Sequence, residues 1–465
     1  MTDVILINPP NLFPEDDKAT QKKKGYTLYP PAGILYIASA LENNGLKAQV
    51  IDAVASGDSM ADILKAIALS NAPMVGISAT TAQLRGSLQL ATKIKEKLDG
   101  KVRIGIGGPH VSADPAFIER FTVFDFALIG EGEKTFPELV KAAKEGRHIE
   151  GVYPGERTEE LDSIVFPNRH LINSDDYYIE PYGKHFATVH TIRGCPFNCS
   201  FCSNPVGGRH ARFRSPGNVV DEIEHCIREF GVKYILFTDD TFTLNTKYAA
   251  EVCEELLRRK VKLSWSCETR AGLVDRALLE LMHRAGCREI SFGVESGNEE
   301  VRQKVLQKKV SNADLITAFT ECHRAGIDAN AFCMLGFPDE TCGNMLETLD
   351  FALKIKPDIL GLHLTVLFPG SDLYKQALAE GKIARDAWDK YARGEIEDQP
   401  IYIPDGFSRQ TMEVMQKHIY WRYYFRPAYL TRRFFKDITA FSRFKQDLRL
   451  GIGLLFSPRT RTGRP

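Results

Sequence analysis

Apolar residues in the first part of the chain follow two rhythms, short continuous runs such as Val4–Asn8 and longer stretches where apolar positions return every three or four residues. The first suits strands buried on both faces and the second amphipathic helices, and their alternation is the βαβ pattern of a parallel sheet. Within residues 1–145, strands are expected at Val4–Asn8, Lys47–Asp52, Met74–Ala79, Val102–Gly107 and Phe126–Ile129. A helix from about Gly33 to Asn44 is expected to close at Gly45, which suits a left-handed cap. Ligands of open α/β sheets gather at the carboxyl ends of the strands. The turns Gly107-Gly108-Pro109-His110 and Gly130-Glu131-Gly132-Glu133 fall there, so this part reads as a Rossmann-type ligand-binding domain.

Residues 146–184 lose the periodicity and carry Pro154, Gly155, Pro167 and Pro181, which reads as a linker packed along the next domain. Over residues 185–405 the βα alternation resumes, with strands expected near Ala187–Ile192, Lys233–Thr238, Val261–Ser266, Glu289–Gly293, Ala329–Leu335 and Ile359–Leu367. Six such units are too few to close the eight-fold (β/α) barrel, so a partial (β/α)6 barrel is expected. Asp239, Asp240, Glu268, Arg270, Glu295 and Ser296 fall at carboxyl-terminal strand ends, where such barrels place their chemistry. His363 and Cys267 also lie near strand ends and are expected to be core residues. The last region, 406–465, carries thirteen Lys or Arg after Gly406 against three Asp or Glu, and contains HIYWRYYFRPAYLTRRFF. Met412, Met415, Ile419 and Tyr423 recur at helical spacing, as in a helix covering the barrel with cations at its rim. The same composition suits contact with a membrane surface or an anionic substrate, and the sequence leaves both open.

Composition narrows the class. A chain of 465 residues is too long for one ordinary core, and its net charge of zero disfavours a nucleic-acid binder. The start, MTDVILINPP, lacks the basic residues and long apolar region of a signal peptide. No stretch reaches the roughly 18 consecutive apolar residues of a membrane span. The expected placement is cytoplasmic, with peripheral contact to the inner membrane face through the C-terminal region as an alternative. All ten cysteines lie between Cys195 and Cys342, unlike a secreted disulfide framework. Seven are scattered singly (Cys226, Cys253, Cys267, Cys287, Cys322, Cys333 and Cys342) and read as small buried hydrophobes.

The other three belong to Arg193-Gly-Cys-Pro-Phe-Asn-Cys-Ser-Phe-Cys202, directly after the first barrel strand. Gaps of three and two residues let one loop point the thiolates of Cys195, Cys199 and Cys202 at one centre. Structural zinc takes four protein ligands, usually as two knuckles, and no second knuckle exists; His210 stands alone. A cubane cluster held by three thiolates leaves one iron free, whereas an electron-transfer cluster is normally fully ligated by cysteine. The motif and its place resemble the radical S-adenosylmethionine (SAM) superfamily. That resemblance implies a 4Fe-4S cluster on the three cysteines, with SAM on the free iron cleaved to methionine and a 5′-deoxyadenosyl radical. It further implies that Phe201 lies beside the adenine and that Asp239-Asp240 receive the methionine amino group. Glu268 and Arg270 would then meet the ribose and carboxylate, and Gly293-Val-Glu295-Ser296-Gly297 would form a cofactor-side turn. The family's usual Gly-Gly-Glu is absent at Asp239-Asp240.

Tyr29-Pro-Pro-Ala-Gly33, Ser78 and Thr80, Gly107-Gly108-Pro109-His110 and Gly130-Glu131-Gly-Glu133 together resemble the cobalamin-binding domain of cobalamin-dependent radical SAM enzymes. The Asp-x-His-x-x-Gly motif that donates an axial histidine elsewhere is replaced by Asn8-Pro-Pro-Asn11, so the resemblance implies cobalamin held without a histidine on cobalt. His110 is expected to be a turn histidine bonded to backbone. The implied activity is methyl transfer to an unactivated carbon of a small-molecule, lipid-like or tetrapyrrole-like substrate, supported by an electron donor such as flavodoxin or ferredoxin. The chain resembles the branch of the anaerobic magnesium-porphyrin cyclase and the hopanoid and chlorin methylases, so oxidative ring closure is an alternative. A vestigial first domain that no longer binds corrin, and a non-catalytic cobalamin or redox sensor, are others.

Overall fold

Two parallel sheets form where the apolar runs alternate with helices. The computed structural model describes residues 2–14, 28–98 and 102–437, with side chains through Arg433. In the first sheet Val4–Asn8 (β1), Ala48–Asp52 (β2), Met74–Ser78 (β3), Arg103–Gly107 (β4), Phe126–Ile129 (β5) and Gly151–Pro154 (β6) are ordered β2-β1-β3-β4-β5-β6. Every neighbouring pair is parallel. Alternate residues of β1 enter opposite cores: Ile5 and Ile7 one, Val4 and Leu6 the other. Helices therefore cover both faces, which explains the continuous apolar runs. Strand order reverses between β1 and β3, opening a crevice beyond Asn8 and Ser78.

Two features correct the expected layout. The stretch read as linker contributes β6, which pairs with β5 from Phe126↔Gly151 to Ile129↔Pro154. The helix Ala387–Arg393, far along the chain, joins the first sheet's core through Trp388, Tyr391 and Ala392. Arg120 fastens it by an ion pair to Asp389, and Tyr391 Oη donates to Ala82 O (3.1 Å).

The second sheet contains Phe186–Val189 (β7), Tyr234–Phe237 (β10), Ser264–Thr269 (β11), Cys287–Glu295 (β12), Asp328–Leu335 (β13) and Leu360–Leu364 (β14), ordered β14-β13-β12-β11-β10-β7 and parallel throughout. Between β7 and β10, Ile192–Arg193 (β8) and Arg212–Phe213 (β9) make an antiparallel ribbon. Val261, expected to begin a strand, instead closes the preceding helix with its N–H on Leu256 O. Along the strands one residue in two, such as Ile235, Trp265, Ile290, Ala329 and Leu362, enters a single core beneath the helices. By alternation Ser266, Glu268, Ser291, Asn330 and His363 face the lumen. Cys267 is buried in the core as expected, whereas His363 is exposed on the lumen side. Of the scattered cysteines, Cys342 departs from expectation: it starts a helix and is exposed, while the other six are buried.

A partial barrel leaves open edges, and β14 is one of them. The helix Arg409–Tyr424 buries Met412, Ile419 and Tyr423 in the barrel core, with Met415 packed alongside. From it, Tyr420 Oη accepts from Leu362 N (2.7 Å) and donates to Leu362 O (2.9 Å). One turn on, Tyr424 Oη does the same with Leu360, at 2.9 Å for each bond. A row of hydroxyls thus replaces the missing neighbour strand, protecting an edge that would otherwise template aggregation. Tyr420 and Tyr424 serve that purpose, while Trp421 of the same helix is exposed; the basic stretch beyond Asp437 lies outside the described residues. Among the described residues no helix is long and apolar enough to cross a membrane.

Candidate functional site

The cysteine loop spans the gap between β8 and β9. Asp239, at the end of β10, fixes its entrance: Thr191 N (2.7 Å) and Ile192 N (2.8 Å) donate to one carboxylate oxygen and Thr191 Oγ1 (2.9 Å) to the other. Burial pushes this carboxyl up to about 7 despite those bonds, and Asp240 adds to the rise. Gly194 follows in a left-handed conformation (φ +93°), and a Cβ there would lie 2.4 Å from His210 O, so only glycine fits. Further on, Cys195 N bonds Gly208 O (3.0 Å), Cys202 N bonds Cys199 O (3.0 Å), and Ser200 is tied to Leu306 O (3.0 Å) and Val305 O (2.8 Å). Cys199 is buried, and Cys195 and Cys202 are half-buried.

Thr241 Oγ1 lies 3.9 Å from Cys195 Sγ, and Arg270 Nη1 lies 3.7 Å from Cys199 Sγ. Burial pushes the Cys202 thiol up to about 11, reinforced by Asp240, Cys199 and Cys195. His210 is exposed beside Glu159 and takes no part. Among the described residues no three His, Cys, Asp or Glu side chains converge on a single-ion site. The loop presents thiols alone, held by backbone bonds, with a guanidinium beside one of them; this soft donor set fits an iron–sulfur cluster.

Around the loop the barrel mouth is acidic. Asp240 accepts from Asn204 Nδ2 (2.6 Å), and burial raises its pKa. Glu268 points into the lumen, where partial desolvation by the barrel wall, then the charges of Asp240 and Glu295, raise its pKa too. Glu295 sits at a register shift between β12 and β13 with φ +61°, a conformation costly for a residue with a side chain, and Lys308 Nζ holds it at 2.6 Å. Phe201 packs its ring into two small apolar clusters flanking the loop. Two expected residues turn elsewhere. Asp239 is occupied by the backbone it anchors, and fully buried Ser296 is held within its own turn, its carbonyl taken by Arg302 (2.6 Å).

At the first sheet's carboxyl edge, Ser78, Gly107, Gly108 and Gly130 are half-buried and Thr80 is exposed. Gly108 has φ +100°, and a Cβ on it would stand 2.9 Å from Ala79 O. A Cβ on Gly107 would meet only Leu128 O at 3.6 Å. This edge therefore offers backbone and small side chains, a surface that a flat macrocycle can approach closely. Beside it an unforeseen network fills the crevice: Asn8 donates to Asp52 (2.8 Å) and accepts from Gln83 (2.8 Å), Tyr177 Oη donates to Asp52 (2.7 Å), and Thr80 Oγ1 donates to Gln83 (2.8 Å).

His110 differs from expectation. It is fully buried, with Nδ1 3.3 Å from Thr81 Oγ1, no partner on Nε2, and its ring edge-on to Phe117 and Trp388. Burial lowers its pKa to about 4, so it is neutral and turned away from the sheet edge.

Glu131, expected on a cofactor, pairs here across to the β8–β9 ribbon. Both its oxygens pair with Arg212 of β9, which also donates to Thr158 O, and Thr158 N donates back to Glu131 (3.2 Å). Arg193 of β8 reaches Glu133 (2.6 Å) and Glu131 (3.5 Å), with its guanidinium 5.0 Å from the centroid of the Tyr36 ring. The Gly130-Glu-Gly-Glu133 turn thus grips the ribbon that carries the cysteine loop. Glu131, Glu133 and Arg193 belong to motifs singled out in the sequence, but their partnership spans sixty or more positions and has no local signal.

The model of the Radical SAM superfamily matches residues 189–352, and that of the B12 binding domain matches residues 23–140. The chain is 30% identical to an uncharacterized methyltransferase of Pyrococcus horikoshii, over 93% of this chain and 95% of that protein. It is 28% identical to the anaerobic magnesium-protoporphyrin IX monomethyl ester cyclase of Rubrivivax gelatinosus, over 88% of this chain and 76% of that one. In fold it is similar to the radical SAM methyltransferase TsrM of Kitasatospora setae, solved with cobalamin and a 4Fe-4S cluster bound, with TM-score 0.70, 19% identity and 92% of each chain covered. A chain with both domains in this order, 30% identical over nearly its whole length to the Pyrococcus methyltransferase, belongs to the cobalamin-dependent radical SAM enzymes.

Proposed function

We propose that this protein is a methyltransferase that transfers a methyl group to an unactivated carbon of a small-molecule, lipid-like or tetrapyrrole-like substrate held between the barrel mouth and the first sheet. The observation that carries the reading is the three-thiol loop anchored beside an acidic mouth. When bound, a 4Fe-4S cluster on Cys195, Cys199 and Cys202 supplies the electron that splits SAM into methionine and a 5′-deoxyadenosyl radical, and cobalamin supplies a carrier for the methyl group.

The chain's own residues then have these roles. Asp240 and Glu268, whose pKa values are raised by burial without a cation to offset it, receive the ammonium group of SAM. Phe201 lies with its backbone beside the adenine while its ring is committed to packing. Lys308 fixes the strained Glu295 so that the turn through Ser296 presents one shape. Ser78, Thr80, Gly107, Gly108 and Gly130 border the corrin. Electrons come from an external donor of the flavodoxin or ferredoxin class.

Iron and cobalt contents measured after anaerobic reconstitution test this arrangement. The wild type is expected to retain both, and Cys199→Ala to lose iron while keeping cobalt. A wild type that retains no cobalamin, or a Cys199→Ala variant with full iron, contradicts it. Oxidative ring closure is the second reading, favoured by the cyclase relative; label from the methyl group of SAM that never reaches a product would select it.

A further inference from the structure

Arg270 stands out among the groups at the barrel mouth. It is 7% exposed, yet among the described residues no carboxylate lies within ion-pair distance of it. Guanidinium remains charged at any ordinary pH, and a buried charge without a counter-ion is costly. Its one described hydrogen bond goes to Cys199 Sγ (3.7 Å), and its carbon lies 4.0 Å from the centroid of Phe197. Both partners belong to the cysteine loop. Stacking on Phe197 fixes the plane of the guanidinium, and the N–H it aims at sulfur is thereby preset.

Resting on the cluster reading above, we propose that Arg270 is the counter-ion of the cluster and a positioning residue that raises its reduction potential, in place of a ligand to the SAM carboxylate. The arginine and the cluster complete each other. Three thiolates give the loop the negative charge that the buried guanidinium lacks. Accepting one electron makes the cluster more negative, so a fixed cation and an N–H bond on Cys199 sulfur favour the reduced form. Hydrogen bonds to cluster sulfurs and net local charge are the levers that set such potentials.

The test uses full-length protein reconstituted anaerobically, poised by a titanium(III) reductant at the potential where half the wild-type cluster is reduced, and read by electron paramagnetic resonance. Arg270→Gln is expected to keep its iron and to lower the reduced-to-oxidised ratio about tenfold, equal to about 59 mV for one electron. Arg270→Lys, which keeps the charge but not the planar stack, is expected to fall between the two. SAM affinity of the oxidised enzyme, measured by equilibrium dialysis, is expected to change less than about twofold in both variants. An unchanged ratio together with lost SAM affinity overturns the proposal and returns Arg270 to the SAM carboxylate. If Arg270→Gln loses its cluster, Arg270→Lys decides, and a wild-type ratio there overturns it. Failure of the wild type itself to take up a cluster would refute the cluster reading and not this assignment alone.

Discussion

Removal of the Glu131 carboxylate is the sharpest perturbation of the contact between the first sheet and the ribbon that carries the cysteine loop. Glu131 and Arg212 each expose only 3% of their side chains, and among the described residues Arg212 has no other carboxylate partner. In Glu131→Ala the guanidinium stays buried with the Thr158 carbonyl alone. Breaking a buried pair on one side costs about 3–5 kcal/mol. At about 2–4 °C per kcal/mol for domains of this size, the unfolding temperature should fall by roughly 6–20 °C. Replacing both partners, as Glu131→Gln with Arg212→Met, leaves no orphaned charge and should cost less than Glu131→Ala alone. Burial works to raise the pKa of Glu131, but the bond from Arg212, the charge on Arg193 and the Thr158 N–H outweigh it and hold it below the usual range. A carboxyl lowered in the folded state stabilises above its unfolded pKa, and that stability is lost as pH falls through the folded value. The gap between wild type and Glu131→Ala should therefore be full at pH 7 and shrink below the ordinary glutamate range. Calorimetry of the anaerobic protein between pH 7 and acid measures both. A Glu131→Ala protein unfolding within about 2 °C of wild type at pH 7 would refute this account of the contact.

Other outcomes follow from the same geometry. Tyr420→Phe removes the Tyr420 partner of the Leu362 N–H, while Leu362 O keeps Gln416 Nε2 (2.6 Å), and is expected to cost about 1–2 kcal/mol by denaturant unfolding. Hydrogen exchange at the Leu362 amide should speed up with it, and unchanged exchange would show that the hydroxyl does not protect the edge. His110, with its pKa lowered to about 4 by burial, stays neutral in the fold while the unfolded chain takes up a proton near its ordinary value. Stability should consequently decline from about pH 6.5 toward pH 4. That slope should flatten in His110→Leu, which gives up the Nδ1 contact to Thr81 (3.3 Å) and is expected to cost about 1 kcal/mol at pH 7. An equal slope in both proteins would place the titrating group elsewhere.

Local signals carried much of this protein's organisation. The cysteine loop was legible because all three thiols fall within a few residues after a strand. Strand alternation marked the polar positions at the barrel mouth, though not which way each one turns. Asp239 and Asp240 are neighbours, yet one is tied to Thr191 and Ile192 and the other faces the loop, a division set by contacts 48 and 36 residues away. The register shift at Glu295 was equally hidden, since a bulge depends on the partner strand. Strand β6 was missed because four residues bounded by Gly151 and Pro154 resemble a turn. The tail's aromatics gave a correct helix but not its use, because Tyr420 and Tyr424 bond backbone that only the fold brings near. Glu131, Arg193 and Arg212 belong to readable motifs, and their meeting is a tertiary fact that no periodicity records.

The most direct test of the two-cofactor claim is a single incubation. Reconstituted protein with cobalamin would receive SAM carrying a heavy isotope in its methyl group, together with a reductant, and mass spectrometry would follow deoxyadenosine and the corrinoid. The account predicts deoxyadenosine formed by the wild type and absent from Cys199→Ala, and heavy methyl recovered on the protein-bound corrinoid. Wild-type protein that holds its iron yet forms neither would contradict it.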